Sequence, residues 1–266
     1  MLGKDIQNTH DPRQEKIDKV GVKNLKYPII VQDRANELQK TIAEIDFFVE
    51  LPHHYRGTHM SRFIEVLNNY HQEDLIENLP LILESIKKKL SADRTYITLK
   101  FPYFMEKKAP VSGIASLLNY NCIFIASLTD TYKLAIGVEV PITTVCPCSK
   151  EISKQGAHNQ RSIVSVLLNY NKFIWLEEII EYVESISSSE IYPLLKREDE
   201  KYVTEKGYDN PKFVEDIVRD LAILLKKDKR ISGFKISSEN FESIHNHNAY
   251  AYLEWEKNKK GDNVKR

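Results

Sequence analysis

Val138-Glu139-Val140-Pro141 leads, through Cys146-Pro147-Cys148, to Gly156-Ala157-His158-Asn159-Gln160-Arg161. A shorter version of the same order stands earlier in the chain, where Val49-Glu50-Leu51-Pro52 leads to Gly57-Thr58-His59-Met60-Ser61-Arg62. In both places a strand-like segment ending in V-E-x-P runs into G-x-H-x-x-R at the expected start of a helix. Pro to His spans seven residues in the first copy and seventeen in the second, and the insertion holds the two cysteines. Helices and then two strands are expected to close each copy, so the pattern predicts a duplicated β–helices–β–β unit with chemistry grafted onto the second copy.

Periodicity fills in the rest. Alternation predicts strands over 27–31, 41–51, 95–101, 117–128, 134–143, 231–237 and 247–255. Helical spacing predicts helices over 60–70, 75–90, 158–170, 174–190 and 211–227, the last capped by Asn210 with Pro211 in its first turn. Residues 196–210 are charged and read as a loop, 1–24 as a mobile arm and 257–266 as a solvated tail. The body of the protein is then 25–256, with a first unit over about 25–129 and a second over about 130–256.

Composition excludes several classes. A hydrophobic content of 42% with 29% charged residues is that of an ordinary globular chain. Lys+Arg and Asp+Glu are equal at 38 each, so no global field points to nucleic acid or an anionic membrane. No apolar run approaches the roughly 20 residues of a membrane-spanning helix, and the polar N-terminus has no signal-peptide core. Three cysteines make no disulfide framework, and a cytoplasmic location is expected.

The chemistry-bearing residues fall in a few places. A proline between Cys146 and Cys148 fixes a rigid corner that presents thiols, and His158 follows closely. Thiolate and imidazole are ligands for zinc, iron or manganese-class ions, but a site needs a further Asp, Glu or His from elsewhere. The bland alternative is a thiol pair at a bend. Glu242, His245 and His247 sit in a late connection between strands, and the histidines, two apart, face one side of an extended segment. Glu198, Asp199 and Glu200 read as a solvated face, and Glu215 as half of a surface pair with Arg219. His53, His54 and His59 cluster after the first-copy strand.

Four ordered motifs carry a resemblance that covers nearly the whole chain: LPHHYRGTHMSRF (51–63), VEVPITTVCPCSKEIS with GAHNQRS (138–162), YPLLKREDEKYVTE (192–205) and ENFESIHNHNAYA (239–251). Together they resemble the prokaryotic type IB GTP cyclohydrolases. The resemblance implies an α+β bimodular tunnelling fold, two tandem ββααββ-like units whose antiparallel sheets carry helices on one face. It also implies a homotetramer with active sites between subunits, GTP as substrate, and 7,8-dihydroneopterin triphosphate and formate as products, the entry to folate-type pterins. By matching position, it implies Cys146, His158 and Glu200 as ligands of one divalent ion (Zn²⁺, Mn²⁺ or Fe²⁺). It implies Cys148, Glu215, His245 and His247 in catalysis, Glu242 as the guanine anchor, and His53 and His54 toward the substrate of a neighbouring subunit. Arg62 and Arg161 are candidates for the triphosphate by residue type. The rival readings are another tunnelling-fold enzyme of purines or pterins, and a non-catalytic protein whose metal staples the fold.

Overall fold

The computed structural model describes residues 6–70 and 74–257, and the chain divides into two compact units. One comprises Met1–Tyr103 with Cys122–Ala135, the other Phe104–Asn121 with Ile136–Arg266, so the chain passes between them inside long strands.

The first unit contains β1 (Ile17–Asp33), β2 (Glu37–Leu51), α1 (Ser61–Asn68), α2 (Leu79–Leu90), most of β3 (Thr95–Lys108), and parts of β4 (Ala115–Leu128) and β5 (Tyr132–Val145), in the ladder order β1-β2-β3-β4-β5. Strict alternation drives it. Ala43, Ile45, Phe47 and Val49 of β2 are buried, while Glu44 and Asp46 between them are partly exposed. The helices cover that apolar face with Phe63, Val66 and Leu67 of α1 and Leu79, Ile82, Leu83 and Ile86 of α2. Phe47 and Phe63 meet edge to face with ring centroids 5.2 Å apart.

The second unit takes the remaining parts of β3, β4 and β5 and adds α3 (Pro147–Ile152), β6 (Asn159–Tyr170), α4 (Leu176–Ser185), β7 (Ser189–Glu190), α5 (Arg197–Asp209), α6 (Val214–Lys227), β8 (Ile231–Asn240) and β9 (Ala249–Glu256). Its ladder runs β3-β4-β5-β6-β8-β9, with β7 pairing β5. Val164, Val166 and Leu168 of β6 and Phe234 and Ile236 of β8 form the buried face, covered by Ile217, Val218, Leu221 and Leu225 of α6. With α3, β7 and α5 set aside as additions, the order is ββααββ followed by ββααββ, an α+β architecture of antiparallel strands with helices packed on one face. No helix among the described residues is long and apolar enough to cross a membrane.

Several sequence expectations are corrected. Residues 159–170 form strand β6, not a helix: Ile163, Val166, Leu167 and Tyr170 fit a helical stripe, but Gln160, Ser162, Val164, Val166 and Leu168 are the buried set, at period two. The two V-E-x-P strings are not structural counterparts, since the first ends β2 and the second lies inside β5. β2 corresponds in order to β6. Residues 197–209 are helix α5, which was invisible to periodicity because it buries only Asp199 and Gly207. α6 starts at Val214, where the Phe213 N–H donates to Asp216 Oδ2 at 2.9 Å, and Asn210 instead ends α5. The expected arm is partly strand, because 17–24 belong to β1. Backbone hydrogen bonds also tie residues 7–11 to the loop at 54–57, among them Asp11 N–H to His54 O and Gly57 N–H to Gln7 O. Of the expected tail only Lys257 lies within the described residues.

Candidate functional site

The cysteine corner is closed by backbone. β5 ends at Val145, Cys146 takes an extended conformation before the short helix α3, and the Cys146 N–H donates to the His158 carbonyl at 3.1 Å. Gly156, with φ +76°, makes the return turn that a side chain would strain. Ser149 clamps both sides: its hydroxyl donates to the Cys146 carbonyl (3.1 Å) and accepts from the His158 N–H (3.2 Å). Cys146 is half-buried, Cys148 is exposed, and both carry free thiols.

His158 opens β6 and its ring is mostly enclosed, with 14% of the side chain exposed. Nδ1 lies 3.0 Å from Gln160 Oε1. Gln160 Nε2 in turn donates to Thr144 Oγ1 (2.8 Å), and Thr144 Oγ1 is 2.9 Å from Ser162 Oγ, so a chain of buried polar groups backs the imidazole. Glu242 comes to the same ring from the connection after β8, its Oε2 3.9 Å from His158 Nδ1 and its side chain 12% exposed. The sheet delivers it there. Ser162 pairs with Asn240 in the β6–β8 ladder, and the Phe241 N–H donates to the Arg161 carbonyl at 2.9 Å.

His245 and His247 follow in the same connection, both exposed, with rings stacked 5.1 Å apart at 16°. Their rings do share a side, although residues 243–247 form a run of bends and not the extended segment expected. Asn248 Nδ2 donates to Glu239 Oε1 (2.7 Å) and ties the end of this segment back to β8.

The remaining candidates lie on other elements. Glu200 is exposed in the first turn of α5, and Glu215 is exposed in the first turn of α6. Among the described residues, no three His, Cys, Asp or Glu side chains are gathered closely enough to hold a metal ion. α5 nevertheless packs close to the corner: a methyl in place of the Gly207 hydrogen would stand 3.6 Å from Val145 Cγ2. Glu200 lies two turns back on that same stripe of the helix. His53 and His54 are exposed in the first unit, with His54 against Tyr55 at 4.3 Å between ring centroids. Arg62 donates to the Lys89 carbonyl at 2.7 Å. Arg161 points to the sheet face opposite Gln160, where it lines an open cleft of about 480 Å³ with Asn121, Glu139 and Tyr192.

Two anchors that position α5 escaped the sequence reading. Asp199, expected to be solvated, is fully buried and accepts from the backbone N–H groups of Val111, Ser112 and Lys196 and from the Ser112 hydroxyl. Burial alone would raise its pKa, but these donors outweigh it and hold the carboxyl well below the usual carboxylate range. Lys107 is 7% exposed and bridges Glu184 (2.6 Å) and Glu190 (2.8 Å) just ahead of α5, with Tyr120 on Glu184 and Tyr192 on Glu190. Burial raises the Glu184 pKa; for Glu190 the Lys107 hydrogen bond overcomes burial and lowers it. The one sequence signal available was an Asp at the third position of a helix, which accepts from the backbone N–H of Lys196 before the first turn.

Comparison with known proteins identifies the family and the fold. The family model described as type I GTP cyclohydrolase folE2 matches residues 4–251. A GTP cyclohydrolase FolE2 of Geotalea uraniireducens (strain Rf4) is 51% identical over 257 residues, 97% of this chain and 95% of its own. One of Magnetococcus marinus (strain ATCC BAA-1437 / JCM 17883 / MC-1) is 55% identical over 251 residues, 94% of this chain and 95% of its own. In fold, the chain is similar to the crystal structure of uricase from Arthrobacter globiformis, with a TM-score of 0.52 at 7% identity, covering 93% of this chain and 96% of that one. This likeness places the architecture among the tunnelling folds.

Proposed function

The chain belongs to the type I GTP cyclohydrolase FolE2 family, and on that premise we propose that it is a metal-dependent enzyme of the type IB kind. It converts GTP and water to 7,8-dihydroneopterin triphosphate and formate, the first step toward folate-type pterins. The observation that carries the site assignment is the meeting of Glu242 and His158 at 3.9 Å, from elements distant in sequence.

Cys146, His158 and Glu200 would hold the divalent ion, Zn²⁺, Mn²⁺ or Fe²⁺. Thiol, imidazole and carboxylate are a donor set that such ions accept, and the first two are already joined through their backbones. Glu200 would come to them from α5, whose close approach at Gly207 supports that role. When bound, the ion supplies Lewis acidity that activates water toward C8 of the guanine.

The rest falls to the chain itself. Glu242 accepts from N1–H and the exocyclic amine of guanine, two parallel charge-assisted bonds that suit a carboxylate. It stands on the Nδ1 side of His158. His245 and His247 pass protons to and from the opening five-membered ring, with Glu215 and Cys148 assisting. A homotetramer with active sites between subunits belongs to the same proposal, with His53 and His54 reaching a neighbour's substrate. β9 ends its unit's ladder and carries exposed Tyr250 and Tyr252, an edge suited to cover by another chain.

Kinetics with GTP and inosine triphosphate, which lacks the exocyclic amine, test the anchor. The wild type is expected to prefer GTP strongly. Glu242→Gln should lower kcat/KM for GTP by about 10- to 100-fold and erase most of the preference. An unchanged preference in Glu242→Gln would remove Glu242 from this role.

A further inference from the structure

Gln160 is 6% exposed, and its carboxamide is engaged at both ends. One end meets His158 Nδ1 at 3.0 Å and the other meets Thr144 Oγ1 at 2.8 Å. Thr144 and Ser162, the next members of the chain, have no measurable exposure. A carboxamide flip would exchange the two ends and reverse the proton on the histidine ring, so its orientation decides the chemistry. The Glu242 carboxylate breaks that symmetry. At 3.9 Å from Nδ1 it is beyond hydrogen-bond distance, but its charge favours a hydrogen on Nδ1 over a lone pair. With Nδ1–H donating to Oε1, the Gln160 amide donates to Thr144, and the Thr144 hydroxyl is left to donate to Ser162 Oγ. Each contact from His158 to Ser162 then joins one donor to one acceptor.

We infer that Gln160 is a positioning residue that locks His158 in the Nδ1–H tautomer and so delivers the Nε2 lone pair as its ligating atom. This rests on the proposed ligand role of His158, and it follows the general rule that a metal-binding histidine donates its second ring N–H to a fixed acceptor. β6 supplies the geometry. Residues two apart on a strand share a face, which puts the carboxamide of residue 160 beside the ring of residue 158.

The test uses the full-length protein with ¹⁵N-labelled histidine, free of metal, and long-range proton–nitrogen correlation spectra, with His158→Gln identifying the His158 signals. The expected wild-type pattern is a protonated Nδ1 and an unprotonated Nε2. Gln160→Leu should mix the tautomers and weaken Zn²⁺ or Mn²⁺ binding, read by chelator competition, by about 10- to 100-fold. Gln160→Glu keeps an acceptor for Nδ1–H and should keep both the tautomer and the affinity. A protonated Nε2 in the wild type, or a Gln160→Leu ring unchanged from wild type, overturns the inference. Should the leucine variant fail to fold, the wild-type and Gln160→Glu spectra still decide. The parent reading fails separately: if His158→Gln binds the ion as tightly as wild type, His158 is no ligand, whatever its tautomer.

Discussion

Glu200→Ala removes one proposed ligand from an exposed position, so its effect on ion binding separates cleanly from its effect on folding. Affinity for Mn²⁺ or Zn²⁺ is expected to fall by about 100-fold or more, above the range for an outer partner, with the melting temperature of the ion-free protein unchanged. Chelator competition and thermal melts on the same sample check this. Cys146 and His158 were legible in the sequence because thiols and imidazoles are rare and their chemistry is narrow. Glu200 was not legible by residue type, since carboxylates are common, and only the resemblance singled it out; Glu242 stood out only for the two histidines that follow it. Gln160 and Asp199 were missed because burial of a polar group depends on what the fold stacks against it. Neither Thr144 nor the Val111–Ser112 turn is near its partner in sequence.

Among elements, the segment leading into α5 depends on a buried lysine. Lys107→Met leaves Glu184 and Glu190 without their shared cation, and the expected cost is about 3–5 kcal/mol, read by denaturant unfolding. Leu221→Ala opens a cavity under α6 at a position with no exposure, and about 2–5 kcal/mol is expected. α6 was legible because its apolar stripe is clean, and β2 because its alternation is strict. β6 was not, because a short apolar run satisfies both periods until β8 is placed beside it, and burial of Val164, Val166 and Leu168 then settles the choice. α5 carries almost no apolar residue, so the contacts of Asp199 and Gly207 identify it where pattern does not.

At the scale of the molecule, the duplicated β–helices–β–β unit was expected from a string match that joined unlike strands, β2 with β5; the doubled ββααββ order, which the resemblance implied, stands on element order instead. Acid sensitivity is a whole-molecule property with a definite sign. Asp199, Glu190 and Asp228 are all held below the usual carboxylate range, Asp228 by the Arg230 guanidinium. Their folded pKa values lie below the unfolded ones, so their stabilisation is complete above the unfolded values near about 4 and is lost as pH falls further. Glu184, raised by burial, acts in the opposite sense and offsets part of that loss. Melting temperature should therefore hold from about pH 7 to about pH 5 and drop steeply below about pH 4, with a shallower drop in Asp199→Asn.

The most direct measurement incubates chelator-treated protein with GTP, with and without added Mn²⁺ or Zn²⁺, and quantifies formate alongside pterin fluorescence after mild oxidation. Formate and pterin are expected in equal amounts, only with the ion, and neither in Cys146→Ala or His158→Ala, while circular dichroism shows the stripped protein still folded. Full activity in His158→Ala, or formate release undiminished by chelation, would contradict the account at its centre.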